Sequence, residues 1–249
     1  MFNYKKSLGQ HFLVDENVSR SIAGYIREIP CKQLLEVGPG GGALTKYLLK
    51  LPETDFKCVE LDEEKVAWLK KNFPKIEGKI IQGDILEIDA PFSGNFTLVG
   101  NFPYNISTQI VFRILDWKDQ VDYMVGMFQK EVAERIVSGE GSKVYGVTSV
   151  LVQAFYDAEY LMTIPESAFK PPPKVKSAVI KLTRKTDVPV KSQKEFFNLV
   201  KTAFNQRRKT LRNAVKSLFD EETLQDPIFQ KRAEQLSVDE FASLSFKMK

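Results

Sequence analysis

Apolar residues along the chain fall into two alternating rhythms. Gln33-Leu-Leu-Glu-Val37 is a short, dense apolar run that stops at Gly38-Pro-Gly-Gly-Gly42. After the glycines, Leu44, Tyr47, Leu48 and Leu51 fall at i, i+3, i+4 and i+7, the spacing that gathers four side chains on one helix face. The alternation then repeats. Phe56–Glu60 reads as a second strand, followed by a helix through Val66 and Leu69. Lys79–Gln82 and Phe96–Val99 read as strands three and four, and Val121–Phe128 as strand five. Helices are expected at about 129–138 and 144–155, and Tyr160–Ile164 with Ser177–Leu182 as a closing antiparallel pair. Seven strands interleaved with helices predict an α/β domain, a doubly wound, mostly parallel sheet covered on both faces. Around Lys185-Thr-Asp-Val-Pro189 the pattern becomes helical only, with Phe196, Phe197, Val200 and Phe204 spaced for one buried face. The expected division is therefore an α/β domain at 1–186 and a small all-α domain at 187–249. A piece that small is expected to pack on its neighbour rather than fold alone.

Composition adds little: 43% hydrophobic and 27% charged residues are ordinary for a globular protein. The longest apolar runs are only a few residues, too short for a bilayer, and Met1–Ser7 has no apolar stretch of signal-peptide length. Cys31 and Cys58, without a CxxC or neighbouring histidines, are expected as reduced thiols of a cytoplasmic protein with no metal site. Charge changes the picture more. Residues 1–164 carry 18 Lys/Arg against 22 Asp/Glu, and 217–249 carry 4 against 7, but 165–216 carry 14 against 3. All the excess positive charge lies in one stretch, the footprint of a nucleic-acid partner. A solvated basic face is the alternative.

The strand, glycine loop and helix at 33–51 form a candidate nucleotide-cofactor loop. Gly38 and Gly40 let the backbone turn sharply and approach a ligand, and the helix that follows is expected to offer free N–H donors. Glu60 closes the next strand, where a carboxylate can accept both hydroxyls of a ribose. Gly38-Pro-Gly-Gly-Gly-Ala43 also fits G-x-G-x-x-A, so a nicotinamide dehydrogenase, or merely a tight turn, remains open from this stretch alone. Glu36, ahead of the loop, favours S-adenosylmethionine, since a dinucleotide site must accommodate a pyrophosphate anion nearby. Asp84, after the third strand, can accept from an adenine amino group. Leu61 and Ile85, which follow these two acids, are counted with them as cofactor-binding.

Asn101-Phe102-Pro103-Tyr104 follows the fourth strand. The lone pair of an adenine N6 is delocalised into its ring, so the amine is a poor nucleophile. The Asn101 side-chain carbonyl and the Phe102 main-chain carbonyl can each accept one N6 hydrogen and draw nitrogen toward tetrahedral geometry. Pro103 stiffens the turn, and Tyr104 can stack on an extruded base. The remainder is positioning and electrostatics. These four residues are the candidate catalytic set, with Asn101 shared with the cofactor.

Together these residues resemble the KsgA-type ribosomal RNA small-subunit adenine N6,N6-dimethyltransferases over nearly the whole chain. The resemblance is carried by Lys6-Ser-Leu-Gly-Gln-His-Phe-Leu13, Glu36-Val-Gly-Pro-Gly40, Val59-Glu-Leu-Asp62 and Asn101-Phe-Pro-Tyr-Asn-Ile-Ser-Thr108. It continues through Gln129-Lys-Glu-Val-Ala-Glu-Arg-Ile136, Tyr145-Gly-Val-Thr-Ser-Val150, Phe169-Lys-Pro-Pro-Pro-Lys-Val-Lys-Ser-Ala178 and Ala203-Phe-Asn-Gln-Arg-Arg-Lys-Thr-Leu-Arg-Asn213. It implies a Rossmann-like class I methyltransferase fold, S-adenosylmethionine as methyl donor with S-adenosylhomocysteine as product, and dimethylation of two adjacent adenines near the 3′ end of 16S rRNA. It further implies that His11 and Leu13 contact the cofactor. Two departures stand out: Phe102, where Leu is more usual, and the third glycine, Gly42. The basic segment then acquires a role, with Lys170, Lys174 and Lys176 on a proline-stiffened loop and Arg207, Arg208, Lys209 and Arg212 after an apolar helix, all as expected rRNA phosphate contacts. The expected partner is 16S rRNA in a 30S subunit or its precursor, bound by a monomer and away from membranes. Two rival readings keep parts of this: a large-subunit 23S rRNA adenine methyltransferase of the antibiotic-resistance type, and a 30S assembly factor for which catalysis is secondary.

Overall fold

A computed structural model describes residues 11–187 and 190–249, so Lys6–Gln10 of the N-terminal motif lie outside the described residues. In chain order the elements are β1 (Phe12–Leu13), α1 (Glu16–Arg27), β2 (Gln33–Val37), α2 (Thr45–Leu48), β3 (Asp55–Glu60), α3 (Glu63–Asn72), β4 (Ile80–Gln82), β5 (Phe96–Asn101), α4 (Ser107–Asp116), β6 (Val121–Gln129), α5 (Lys130–Val137), α6 (Val147–Phe155), β7 (Tyr156–Ile164), β8 (Phe169–Lys170), β9 (Ser177–Arg184), α7 (Gln193–Asn205), α8 (Leu211–Val215) and α9 (Val238–Ser245).

Seven strands form one sheet in the order β4-β3-β2-β5-β6-β9-β7. The pairs β2–β3, β3–β4, β2–β5 and β5–β6 are parallel, and β6–β9 is antiparallel. Central strands such as Leu34, Leu35 and Val37 are buried without alternation, as a sheet covered on both faces requires. The chain runs outward from β2 to β4, then returns to β5 on the other side of β2. That reversal opens a crevice at the carboxyl ends of β2 and β5, the place where doubly wound sheets bind ligands. A separate two-stranded sheet pairs β1 with β8, Phe12 opposite Lys170 and Leu13 opposite Phe169.

The chain divides into two compact units, one holding the residues up to Ala133 with Glu159–Arg184, the other Glu134–Ala158 with Lys185–Lys249. The late crossing lies two residues from the expected division at 186/187, but the helical unit also takes a middle segment that the sequence assigned to the first domain. The reason is α6, whose Val150, Leu151, Val152, Ala154 and Phe155 are all buried. A helix with so wide an apolar face needs more than one partner, and α6 packs against α7 and α9. Phe155 meets the Phe196 and Phe197 rings edge-on at 6.3 and 6.2 Å. Ser192 caps α7 by accepting from the Glu195 N–H, and Ser237 with Glu240 forms a reciprocal capping box on α9. Among the described residues no helix is long and apolar enough to cross a membrane.

Candidate active site

The loops that leave the carboxyl ends of β2, β3, β4 and β5, together with residues 11–14, enclose a cavity of about 380 Å³. That size suits one cofactor-sized ligand. Every cofactor and catalytic residue expected from the sequence lines it, from His11 and Leu13 through Glu36 and Asp84 to Tyr104.

At the β2 end the backbone enters the left-handed region at Gly38 (φ 66°) and Gly40 (φ 54°), which accounts for glycine at both places. Gly42 (φ 80°) is fixed by a neighbour as well, because a Cβ there would lie 2.4 Å from the Phe73 ring. The expected helix after this turn is only Thr45–Leu48, too short to present an N-terminal donor set. The turn is held by a carboxylate instead: Gly40 N–H donates to Glu60 Oε2 at 3.1 Å, and Asp62 N–H to Glu60 Oε1 at 3.0 Å. Behind the turn, Thr45 Oγ1 donates to Glu36 Oε2 at 2.7 Å. Burial pushes the Glu36 carboxyl up to about 8, and the Glu60 charge adds to the effect against the Thr45 hydrogen bond. Asp84 Oδ1 accepts the Leu86 N–H at 2.9 Å, which orients that side chain at the end of β4. Leu61 presents an apolar side chain that is 53% exposed, and Ile85 is buried on the same cavity.

Asn101 is the last residue of β5 rather than the first beyond it. Its Nδ2 donates to the His11 main-chain carbonyl at 3.1 Å, which fixes the amide with Nδ2 committed and Oδ1 as its acceptor end. Phe102 turns its ring into the core, 1% exposed, edge-on to Phe128 at 5.1 Å. The ring fits because Gly100 and Gly126 lie opposite each other on β5 and β6; a Cβ on either would come within 2.7 Å of it. What Phe102 contributes to the cavity is therefore main chain, so the departure from Leu is accommodated by two paired glycines. Tyr104 Oη shares a hydrogen bond with Ser177 Oγ at the start of β9. Burial raises the Tyr104 phenol above its ordinary value, against that hydrogen bond. The His11 ring lies 5.4 Å from the Tyr104 ring, and its Nδ1 bonds the Pro171 carbonyl at 2.9 Å.

Of the expected RNA contacts, Lys170, Lys174 and Lys176 are exposed on the β8–β9 segment, and Arg208, Lys209 and Arg212 are exposed in the helical unit. Arg207 differs. Its guanidinium donates to the Lys143 carbonyl at 2.9 Å and lies 3.9 Å from Glu234, so it is engaged within the helical unit. Phe12 and Lys65 also line the cavity, and no sequence motif singles either out as a site residue. Phe12 lies inside the motif around His11; Lys65 has no signal beyond its place five residues after Glu60.

Comparison with known proteins adds an independent line. A model of the family described as ribosomal RNA adenine dimethylase matches residues 1–248. A protein of Cytophaga hutchinsonii named ribosomal RNA small subunit methyltransferase A is 53% identical over 247 residues, covering 97% of this chain and 95% of that one. Among solved structures, a dimethyladenosine transferase from Plasmodium falciparum superposes with a TM-score of 0.83 at 26% identity, covering 94% and 96% of the two chains. The 23S rRNA methyltransferase ErmE superposes at 0.75 with 20% identity, covering 95% and 99%, a likeness of fold.

Proposed function

The chain belongs to the ribosomal RNA adenine dimethylase family, and from that premise we propose that it transfers methyl groups from S-adenosylmethionine to N6 of two adjacent adenines of 16S rRNA, presented on a 30S subunit or its precursor in the cytoplasm. The cavity suits that cofactor by its acceptor groups and apolar walls. The Glu60 carboxylate, held by two main-chain N–H groups, has lone pairs for the ribose hydroxyls. Leu61 and Ile85 offer apolar walls for a purine, and Asp84 an acceptor for its amino group. Glu36 lies behind the glycine turn, on the side suited to an ammonium. Bound there, S-adenosylmethionine supplies an electrophilic methyl group on a sulfonium.

The observation that carries the reading is the orientation of Asn101. With Nδ2 committed to His11, Oδ1 remains to accept one N6 hydrogen, and the Phe102 carbonyl accepts the other. Together they draw nitrogen out of conjugation. Tyr104, anchored through Ser177 and kept a neutral phenol, stacks on the base. No strong base is required, because nitrogen becomes acidic only after transfer and then gives its proton to water. Lys170, Lys174 and Lys176, with Arg208, Lys209 and Arg212, contact rRNA phosphates, and the protein acts as a monomer.

The test is methyl transfer from labelled S-adenosylmethionine to purified, undermethylated 30S and 50S subunits, followed by nucleoside analysis. The expected product is N6,N6-dimethyladenosine in 30S RNA. Label in 50S RNA alone would move the target to the large subunit, and label in neither would remove the catalytic reading.

A further inference from the structure

Lys65, a residue of cationic type, is only 5% exposed. Lysines are almost never so buried without a paired anion. It also lies in the first turn of α3, where the helix dipole disfavours a cation. Something outside the helix must hold it, and the side chain, leaning back toward the helix N-terminus, reaches the end of β3. Its Nζ lies 4.0 Å from Glu60 Oε1 and 5.4 Å from the centre of the Phe12 ring. Glu60 is equally buried at 5%, and both of its oxygens already hold the glycine turn and the start of α3. Phe12 in turn lies over Gly40, its Cε1 3.7 Å from where a Cβ would stand. The charge on Glu60 helps keep Glu36, the other buried carboxyl of the cavity, protonated, so the negative charge that Lys65 meets there is that of Glu60. One ammonium thus faces the carboxylate and the aromatic wall together.

Resting on the cofactor reading above, we propose that Lys65 completes the cofactor site as a positioning residue. Its charge fixes the Glu60 carboxylate that receives the ribose hydroxyls, while its packing beside the Phe12 ring is a contact that a methionine side chain can keep. Removing the charge leaves the cavity in place but loosens the carboxylate. The loss should therefore fall on ligands that carry ribose hydroxyls.

Calorimetric titration of the full chain with S-adenosylhomocysteine and with its 2′,3′-dideoxy analogue reads this directly. Hydrogen bonds to a charged group are strong enough that the wild type should prefer the natural ligand by more than about tenfold. In Lys65→Met the preference should fall below about threefold, while the dideoxy analogue binds nearly as before. Lys65→Arg, which keeps the charge, should keep the preference, and it serves equally if the Met variant does not fold. A preference unchanged in Lys65→Met, or collapsed in Lys65→Arg, would overturn the proposal. Failure of the wild type to bind S-adenosylhomocysteine would overturn the cofactor reading, and this proposal with it.

Discussion

Gly126→Ala puts a single methyl group into the most confined part of the site's support. The added Cβ would stand 2.3 Å from Phe102 Cε2 and 3.0 Å from its Cζ. It would also stand 2.7 Å from Met124 Sδ, but a thioether can move aside, whereas the Phe102 ring cannot. That ring is 1% exposed, edge-on to Phe128 and bounded on its other edge by Gly100. Overpacking of this kind costs about 1–3 kcal/mol. Gly126 does not have a positive φ, so strain from the new side chain's backbone preference adds nothing. Phe102→Leu alone vacates part of the slot and should cost about 1 kcal/mol. In the double variant the new methyl occupies space the smaller side chain leaves, so the two costs should fall short of their sum by about 1–2 kcal/mol. Urea unfolding, with m unchanged across the four proteins, measures that coupling. Turnover gives a second reading, because displacing the ring drags the Phe102 carbonyl, and misplacement by about 1 Å can cost 100-fold in rate. The Gly126→Ala protein should therefore lose kcat and regain much of it when Phe102→Leu is added. Additive costs, or a Gly126→Ala variant as stable as the wild type, would refute the confinement of the ring.

Three further outcomes are expected. Glu36 keeps its proton in the folded state up to about pH 8, whereas in the unfolded chain it loses it near the ordinary carboxyl value; the unfolded state then binds fewer protons, so stability falls as pH rises between those two values, by at most about 5 kcal/mol. Urea unfolding at pH 5 and pH 8 should show Glu36→Gln gaining on the wild type at the higher pH, and an equal gap at both would contradict the burial argument. Replacing Arg208 and Arg212 with Ala should reduce the log–log salt slope of rRNA binding by roughly 0.7–0.9 for each phosphate no longer neutralised, whereas Arg207→Ala should chiefly lower thermal stability; a slope change from Arg207 equal to that from Arg208 would show that it too meets RNA. Asn101→Ala should lower kcat by at least about 100-fold, the scale of losing an oriented polar group at the reacting atom, with rRNA affinity unchanged, and a variant that still dimethylates at the wild-type rate would dismiss its role.

How much was legible varied with the range of the interactions. Gln33–Val37 reads as a strand to the residue because Leu34, Leu35 and Val37, interrupted only by Glu36, form a dense apolar run ended by glycine. Leu44 to Leu51 shows helical spacing, yet only Thr45–Leu48 is helix, since the glycine turn on one side and Pro52 on the other leave no length for more. The α1 helix was not expected, although Asp15 caps it and Val18, Ile22 and Ile26 form its buried stripe; Ser19, Arg20, Ser21 and Gly24 dilute that stripe. In the site, residues that follow strands were legible because strand ends carry a position with them. Phe12 and Lys65 were not, since each owes its place to contacts across the fold. The distinction between Arg207 and Arg208 is likewise invisible in a run of like charges.

The helical unit is built from two separate stretches, and this sets how the protein can be cut. A truncation after residue 186 removes α7 and α9 but keeps α6, leaving its apolar sides without the partners they pack on. Such a fragment would expose Leu151, Phe155 and their neighbours to water and should aggregate rather than yield an isolated catalytic module. Exchanging the helical unit with that of a relative calls for three junctions, at 133/134, 158/159 and 184/185, made together. The same interleaving means that a ribosome emitting the chain has released every strand of the sheet before α6 can find its cover, so the middle helices wait, incompletely packed, for the C-terminus to appear.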